Sequence, residues 1–567
     1  MRWIYTENKS IDEALKSELK DKLNLPDYMI KSFVNRGIDT FEKARELFEI
    51  DNAPLFPPSL FEDMAKTVAR IEKAVKANEK IVIYGDYDVD GVTSIVELYL
   101  FIKNFVKYNN IDFYIPHRQD EGYGLNIEAL EAIIKDGAKL IISLDCGISA
   151  AKEVDFCVQK GVDIIITDHH IPEEGTIPKN AFAIINPKYS KTYPEKELSG
   201  SGVAYKLVCA LADSMKIDIK NELIDFAAMG TIADIVPLTY ENRIIARRGF
   251  KQIAKTTNIG LKALKEAASI KPDAIISTYH VGFILGPRIN AAGRLEHAKK
   301  AVELFVSNDR EETVSIAEEL NNTNEERKSI MNKTHEQAMC MLKDKFNEND
   351  DFVIVLYNPE WNAGIVGLVA SKVLREYHRP VFILTKSDDG LIHGSARSVP
   401  SVDIFEAIKA AHGSLERYGG HKLAAGVTMK EGNLPAFTKT VNDFLKRIMK
   451  KEDFEPSLHI DDDINEAINI KDIKVYDKLQ PWGVGNRRPV FTLTGVEVRD
   501  VKLMKSNTMK FYARHKERYY NFLMFGHNDE DATTIKAGQF LDVAFTPTIN
   551  TWRDEESLVL EVEDYKL

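Results

Sequence analysis

The sequence predicts an α/β chain in which a short N-terminal cap precedes four parts: a parallel-sheet domain, a long connecting helix, a second and smaller α/β domain, and a C-terminal β-barrel. Three observations carry this prediction. Between residues 81 and 187, short β-branched runs alternate with amphipathic segments; near-continuous apolar strands separated by helices imply a parallel sheet covered on both faces. Residues 309–346 are rich in Glu, Lys, Asn and Met with only scattered apolar positions, as in a helix that bridges two domains and has little core to join. After residue 451 the chain changes to short strands separated by turns, the pattern of a small antiparallel barrel.

In order, residues 81–85 read as a strand, 93–108 as a helix, 112–116 as a strand and 126–135 as a helix. Residues 139–145 follow as a strand, 149–160 as a helix, and 162–167 and 181–186 as strands. The chain from 202 to 306 reads as mainly helical. A second alternating unit begins at Asp351, with strands at 352–356, 380–384, 392–398 and 424–429 and helices at 365–377 and 401–412. The barrel strands fall at 457–460, 490–494, 495–503, 509–514, 519–525, 540–547 and 557–565. The expected division is 1–50 (an amphipathic helical cap), 51–308, 309–347, 348–451 and 452–567. A chain of 567 residues is too long for one core and fits several domains of about 150 residues each.

Composition narrows the class. Charged residues interrupt the first ten positions, so no signal peptide is expected. No stretch approaches the roughly 20 apolar residues of a membrane-spanning helix. Cys146, Cys157, Cys209 and Cys340 include no C-x-x-C pair, which argues against a zinc ribbon or disulfide framework and fits a reducing, cytoplasmic setting. The net charge of −12 argues against an all-over nucleic-acid-binding coat. Attraction to a nucleic acid must then come from a local basic groove and from bound cations.

The chemistry is carried by acids at strand ends. Gly85-Asp86-Tyr87-Asp88-Val89-Asp90-Gly91 closes the first strand, Asp145-Cys146-Gly147 another and Asp168-His169-His170 a third; Asp234 sits in a later small-residue loop. In an open parallel sheet, ligands gather beyond the carboxyl ends of the strands, so these motifs should meet in one crevice. One Asp at a strand end is commonly a helix cap or turn former; several in one crevice repel one another and bear a heavy desolvation cost. Divalent cations relieve such a set. Oxygen donors with one or two imidazoles favour Mn²⁺ or Mg²⁺, and more carboxylates than one ion takes suggest a pair of ions, the arrangement that clamps attacking and leaving oxygens in phosphoryl chemistry.

Taken in order, these four motifs resemble those of the DHH phosphoesterase superfamily. The resemblance implies that Asp88 and Asp145 hold one metal, and that Asp90, Asp145, His169 and Asp234 hold the other, with Asp145 bridging. It places His170 beside the substrate phosphate as a donor or acid. Related phosphatases carry a histidine four residues before the second Asp. This chain has Tyr84 there, which leaves Asp86 or Tyr84 to complete the first metal's set. Asp86, Asp145 and His170 are the expected catalytic residues.

Later segments point to the substrate. Arg288, Asn290 and Arg294 lie among small residues in Gly286-Pro287-Arg288-Ile289-Asn290-Ala291-Ala292-Gly293-Arg294. Guanidinium groups there suit bidentate phosphate contacts. Trp361-Asn362-Ala363-Gly364-Ile365-Val366-Gly367 starts a helix whose free N–H groups suit an anion. His421 alone reads as a core histidine. Ser395-Ala396-Arg397 and Gly419-Gly420-His421 together resemble the DHH-associated domain, which grips substrate opposite the metals. The resemblance implies a terminal 5′-phosphate pocket of Arg118, Ser395 and Arg397, with His421 among the substrate contacts. Seven basic residues from Arg499 to Arg518 are interleaved with Phe511, Tyr512, Tyr519 and Tyr520. Charge plus stacking rings is what sequence-tolerant single-strand binding uses, and the barrel resembles the superfamily's oligonucleotide-binding fold.

The resulting expectation is a monomeric exonuclease of DNA repair and recombination. It removes 5′-mononucleotides from single-stranded DNA with two ions, and works beside a single-strand-binding protein and a helicase. The alternative is a DHH-type hydrolase of cyclic dinucleotides or short oligoribonucleotides, which needs no basic barrel. A silent scaffold would have lost metal-site acids that this chain retains.

Overall fold

The computed structural model describes residues 1–6, 11–117, 121–387, 389–504, 507–526, 534–552 and 555–567. The chain forms two compact units: residues 56–236 with 240–455, and residues 1–55 with 237–239 and 456–567.

In the larger unit the first sheet has five parallel strands, in the order Ile111–Tyr114, Lys80–Gly85, Ala138–Leu144, Asp163–Thr167, Ala183–Ile185. Both faces are covered. Val82, Tyr84, Ile141, Ile164 and Ile166 pack with Leu130, Ile133, Val154 and Cys157 of the helices Ile127–Lys135 and Ala151–Gln159. The alternate residues Ile81 and Ile83 turn to the other face, as strand period requires, and are fully buried. From Lys80–Gly85 the chain passes first to one neighbour strand and then across to the other. That reversal opens a crevice at the carboxyl ends of the central strands.

The first helix departs from the sequence reading. It spans Val89–Leu100 and continues as a π-turn over Phe101–Phe105, rather than starting at residue 93. Asp88 is the reason: its carboxylate accepts from the Asp90 and Gly91 amides at 2.9 and 3.1 Å and caps the helix. Asp90 is thereby carried inside the first turn.

A 36-residue helix, Arg310–Lys345, follows the helical segment and is capped by Asp309. The second sheet runs Arg417–His421, Ala424–Met429, Ile392–Arg397, Val381–Lys386, Ile354–Tyr357, with only the last pair parallel. Val381 and Ile383 face the helix Val366–Tyr377 on one side. Phe382 and Leu384 face the helices Ile404–Ala410 and Leu434–Ile448 on the other. The edge strand Arg417–His421 is exposed throughout and carries two glycines, so it lacks the β-branched signature by which strands are read.

In the smaller unit, Phe491–Met504, Thr508–His515, Arg518–Phe525, Glu555–Lys566 and Phe540–Trp552 close into a barrel through pairing of the first and last of these. The sequence pattern breaks the first strand at Gly495. The strand is continuous: Gly495 sits in a bulge at a φ of 65°, the left-handed conformation that glycine adopts without strain. The N-terminal helices Glu13–Leu23, Asp27–Asn35 and Phe41–Phe48 share the barrel's core, with Leu19, Met29 and Phe33 joining Phe491, Phe511 and Phe522. Arg2–Tyr5 pairs in parallel with Ser457–Ile460.

Candidate metal centre and phosphate pocket

Three of the acidic motifs follow the last residue of a central strand, whereas Asp234, expected in a loop, closes the helix Ile224–Ala233. Asp145, immediately after Ala138–Leu144, has a φ of 61°, which a short polar side chain tolerates best among non-glycine residues. Its N–H donates to the Thr167 carbonyl at 3.0 Å and its own carbonyl accepts from the Tyr123 hydroxyl at 3.2 Å. The turn is therefore pinned on both sides.

Asp90 approaches from the adjoining helix. Its two carboxylate oxygens accept from the Gly200 amide at 2.6 Å and the Ser201 amide at 2.9 Å, at the start of the sixteen-residue helix Gly200–Met215. The positive end of that helix faces the carboxylate. The approach is close: a β-carbon on Gly200 would lie 2.4 Å from Asp145 Oδ1, and one on Gly230 would lie 2.3 Å from Asp90 Oδ1. The Ser199-Gly200-Ser201-Gly202 segment was not singled out in the sequence reading. Its signal was a serine cap before a helical run, and Ser199 does cap the helix.

His169 Nε2 lies 3.2 Å from Asp145 Oδ1, 3.6 Å from Asp234 Oδ2 and 3.9 Å from Asp90 Oδ2. Three donor sets each have their ligand atoms within 4.8 Å of one another: Asp90, His169 and Asp234; Asp86, Asp88 and Asp145; and Asp145, His169 and His170. All of these residues but Asp90 line a cavity of about 340 Å³, to which Tyr87, Tyr123, Asn290 and Arg294 also contribute.

The electrostatics match a cation site. Burial, then repulsion from Asp90, Asp88 and Asp86, pushes the Asp145 carboxyl well above its ordinary range. Burial, then Asp90 and Asp88, lifts Asp234 to about 8. Burial pulls His169 down to about 4, so it presents a neutral imidazole. Asp145 Oδ1 is buried without a hydrogen bond among the described residues. A set of oxygen donors with one neutral imidazole, in which every charge raises the next, fits Mn²⁺ or Mg²⁺.

Asp168 does something different. It is buried and accepts from the Ile148, His169 and His170 amides and from His170 Nδ1 at 2.8 Å. Burial acts to raise its carboxyl, but the hydrogen bond and charge of His170 outweigh that and hold it below the usual range. In return, although burial lowers His170, Asp168 lifts it to about 9. His170 is an oriented imidazolium at the cavity wall.

The other predicted residues divide. Asn290 Oδ1 accepts from the Val89 amide at 3.1 Å, and Arg294 lines the cavity. Arg288 does not: it is buried and donates to Asn321 Oδ1 at 3.0 Å and to the Ile284 carbonyl at 2.7 Å. Arg397 Nη1 donates to Ser395 Oγ at 2.7 Å. Both flank Gly367, whose added β-carbon would sit 3.1 Å from each, in the first turn of the helix Val366–Tyr377, which no side chain caps. His421 is exposed rather than in a core, and forms one row with Ala424 and Arg397 across three strands. Arg118 lies outside the described residues. On the barrel, Lys510, Tyr512 and Arg514 point outward while Met509, Phe511 and Ala513 point in; Tyr512 stacks on Tyr519 at 5.3 Å. Lys505 also lies outside the described residues.

Comparison with known proteins fits this geometry. The DHH family N-terminal domain matches residues 80–231, the DHHA1 domain 350–447 and the RecJ OB domain 461–564. The single-stranded-DNA-specific exonuclease RecJ of Bacillus subtilis (strain 168) is 35% identical over 571 residues, covering 100% of this chain and 70% of that protein. The chain belongs to the RecJ family. RecJ of Haemophilus influenzae is 32% identical over 468 residues, covering 79% of this chain and 80% of its own length. The crystal structure of RecJ from Thermus thermophilus in complex with Mn²⁺ aligns with a TM-score of 0.84 at 27% identity, covering 100% of this chain and 79% of that one. A crystal structure of exonuclease RecJ bound to manganese aligns at 0.61 with 32% identity, covering 69% of this chain and 96% of that one.

For this RecJ-family chain the structure also places Tyr84. Its ring lies in the sheet core, its hydroxyl donates to the Gly124 carbonyl at 3.0 Å and accepts from Asn126, whereas Asp86 lies with Asp88 and Asp145. Tyr123 is the residue that sequence reasoning gave no role. Its exposed ring meets His170 edge-on, and its hydroxyl lies 3.1 Å from His170 Nδ1.

Proposed function

We propose that this chain hydrolyses single-stranded DNA from the 5′ end and releases 5′-mononucleotides, using two Mn²⁺ or Mg²⁺ ions. The observation that carries the reading is the convergence of three carboxylate and imidazole donor sets at one sheet edge. Asp86, Asp88 and Asp145 would hold one ion, and Asp90, Asp145, His169 and Asp234 the other. When bound, such a pair polarises phosphoryl oxygens, lowers the pKa of a water and stabilises the leaving 3′-oxygen.

The chain's own groups supply the rest. His170, held charged by Asp168, donates to a phosphoryl oxygen as charge builds on it. Arg294 and Asn290, at the cavity wall, steady the scissile phosphate. Ser395, Arg397 and the uncapped start of the helix Val366–Tyr377 take the terminal phosphate through charge-assisted bonds and free N–H groups, with Arg118 and His421 as further contacts. The outward basic and aromatic face of the barrel suits the downstream strand. Among the described residues no helix is long and apolar enough to cross a membrane. With four free cysteines, a cytoplasmic monomer is the proposed setting, and a single-strand-binding protein and a helicase are its proposed partners.

The test is a time course on single-stranded DNA, duplex and RNA, with 5′-phosphorylated and 5′-hydroxyl ends, with and without Mn²⁺. Arg397→Ala should slow digestion of 5′-phosphorylated strands about 10-fold or more, as expected for a lost charge-assisted contact, with a smaller effect on hydroxyl ends. Equal loss on both ends would remove Arg397 from the phosphate pocket.

A further inference from the structure

A file of three glycines, two of them in backbone contacts that leave no room for a β-carbon, joins the metal centre to the Ser395–Arg397 pocket. A β-carbon on Gly293 would lie 2.7 Å from the Tyr87 carbonyl oxygen, so the helix Gly286–Leu295 is pressed onto the Asp86-Tyr87-Asp88 loop. The next residue, Arg294, lines the metal cavity and donates from Nη1 to the Gly364 carbonyl at 3.1 Å. A β-carbon on Gly364 would lie 2.5 Å from the Arg294 carbonyl oxygen. Three residues on, a β-carbon on Gly367 would lie 3.1 Å from the side-chain atoms Ser395 Oγ and Arg397 Nη2.

The file is braced from behind. Gly364 N–H donates to Asn362 Oδ1 at 2.8 Å, Trp361 Nε1 donates to Gln337 of the long helix at 2.8 Å, and the Trp361 carbonyl accepts from Thr385 at 2.5 Å. Leu295, next to Arg294, packs into the Trp361 and Ile365 core. The two backbone contacts, Gly293 on Tyr87 and Gly364 on Arg294, have no rotamers with which to absorb a displacement, so the spacing they bridge is set rigidly.

We propose that this file is a ruler: by fixing the spacing between the terminal-phosphate pocket and the metal centre, it sets the released fragment at one nucleotide. The ruler rests on the exonuclease reading above. Gly293, Gly364 and Gly367 act as positioning residues, since their contacts are with protein groups. With the end phosphate seated, only one phosphodiester can lie over the ions.

Gly364→Ala tests it. The new methyl must push the two backbones about 1 Å apart to reach ordinary contact, and misplacement on that scale can cost about 100-fold in rate. The penalty should fall on seated ends. The preference for 5′-phosphorylated over 5′-hydroxyl strands should drop about 10-fold or more, and dinucleotides should appear among the first products. The Mn²⁺-induced rise in melting temperature should match that of wild type. Leu295→Ala loosens the same joint without a clash, and the same change is expected of it. Wild-type end preference with mononucleotides alone from the folded variants would overturn the ruler. Wild-type protein that digests no single strands, or shows no end preference, would instead overturn the reading beneath it.

Discussion

Asp145 is the residue on which the site turns. It is buried, sits in the left-handed region, and belongs to two of the donor sets. Without cations its charge is a liability, because burial and four neighbouring aspartates oppose it. Asp145→Asn keeps the shape and tolerates the backbone. In chelator it should melt no lower than wild type, and ~1–2 °C higher if roughly 0.5 kcal/mol of repulsion is relieved. In Mn²⁺ the wild type should gain stability and the variant should not; scanning calorimetry in both buffers would show the reversal. The pH dependence has a definite sign. Asp234 titrates near 8 in the metal-free fold against an ordinary 3.8, so between those values the folded state holds the extra proton. Metal-free stability should therefore fall as pH rises from about 4 to 8, while the Mn²⁺-induced gain grows, since the ion displaces that proton. A flat metal-free melting temperature across pH 5–8 would refute this. At this scale the letters of the motifs were legible and their division of labour was not. Asp168 reads like the other acids but turns inward to hold His170. Arg288 and Arg294 read as equals among small residues. In a helix their six-residue separation turns through about 600°, which leaves only Arg294 on the cavity side.

The helix Gly200–Met215 shows what an element contributes. Its first amides hold both oxygens of Asp90, a residue 110 positions earlier, and Gly230 of the neighbouring helix leaves room for that carboxylate. Gly230→Ala would set a methyl 2.1 Å from Ser201 Oγ and 2.3 Å from Asp90 Oδ1. The expected result is a stability loss of about 1–3 kcal/mol from overpacking, with a 10- to 100-fold loss of activity that excess Mn²⁺ partly restores. Activity equal to wild type at limiting Mn²⁺ would show that the fit around Asp90 is loose. Strands and helices with strong periodicity were readable, including the three whose ends carry the acids. Elements defined by distant partners were not. Arg2–Tyr5 pairs with Ser457–Ile460, and the N-terminal helices bury Phe33 against a barrel more than 400 positions away. Their amphipathic pattern announces a buried face but cannot name what covers it.

Across the whole molecule, net charge and function conflict only when averaged. A chain of −12 concentrates carboxylates where cations neutralise them and keeps Lys510, Arg514 and the Tyr512–Tyr519 stack on the outer face of the barrel. The acidic centre and the Ser395–Arg397 pair are built in one unit, so in the proposed reaction both ends of the nucleotide would be held by one packed body. The measurement that tests the central claim most directly is the Mn²⁺ stoichiometry of wild type and Asp145→Ala, taken by calorimetric titration alongside nucleotide release from 5′-labelled single strands in the same samples. The account predicts two ions per chain and prompt release of labelled mononucleotide for wild type, and loss of at least one ion with release reduced about 1000-fold or more for Asp145→Ala. Two ions still bound and release undiminished in the variant would contradict it.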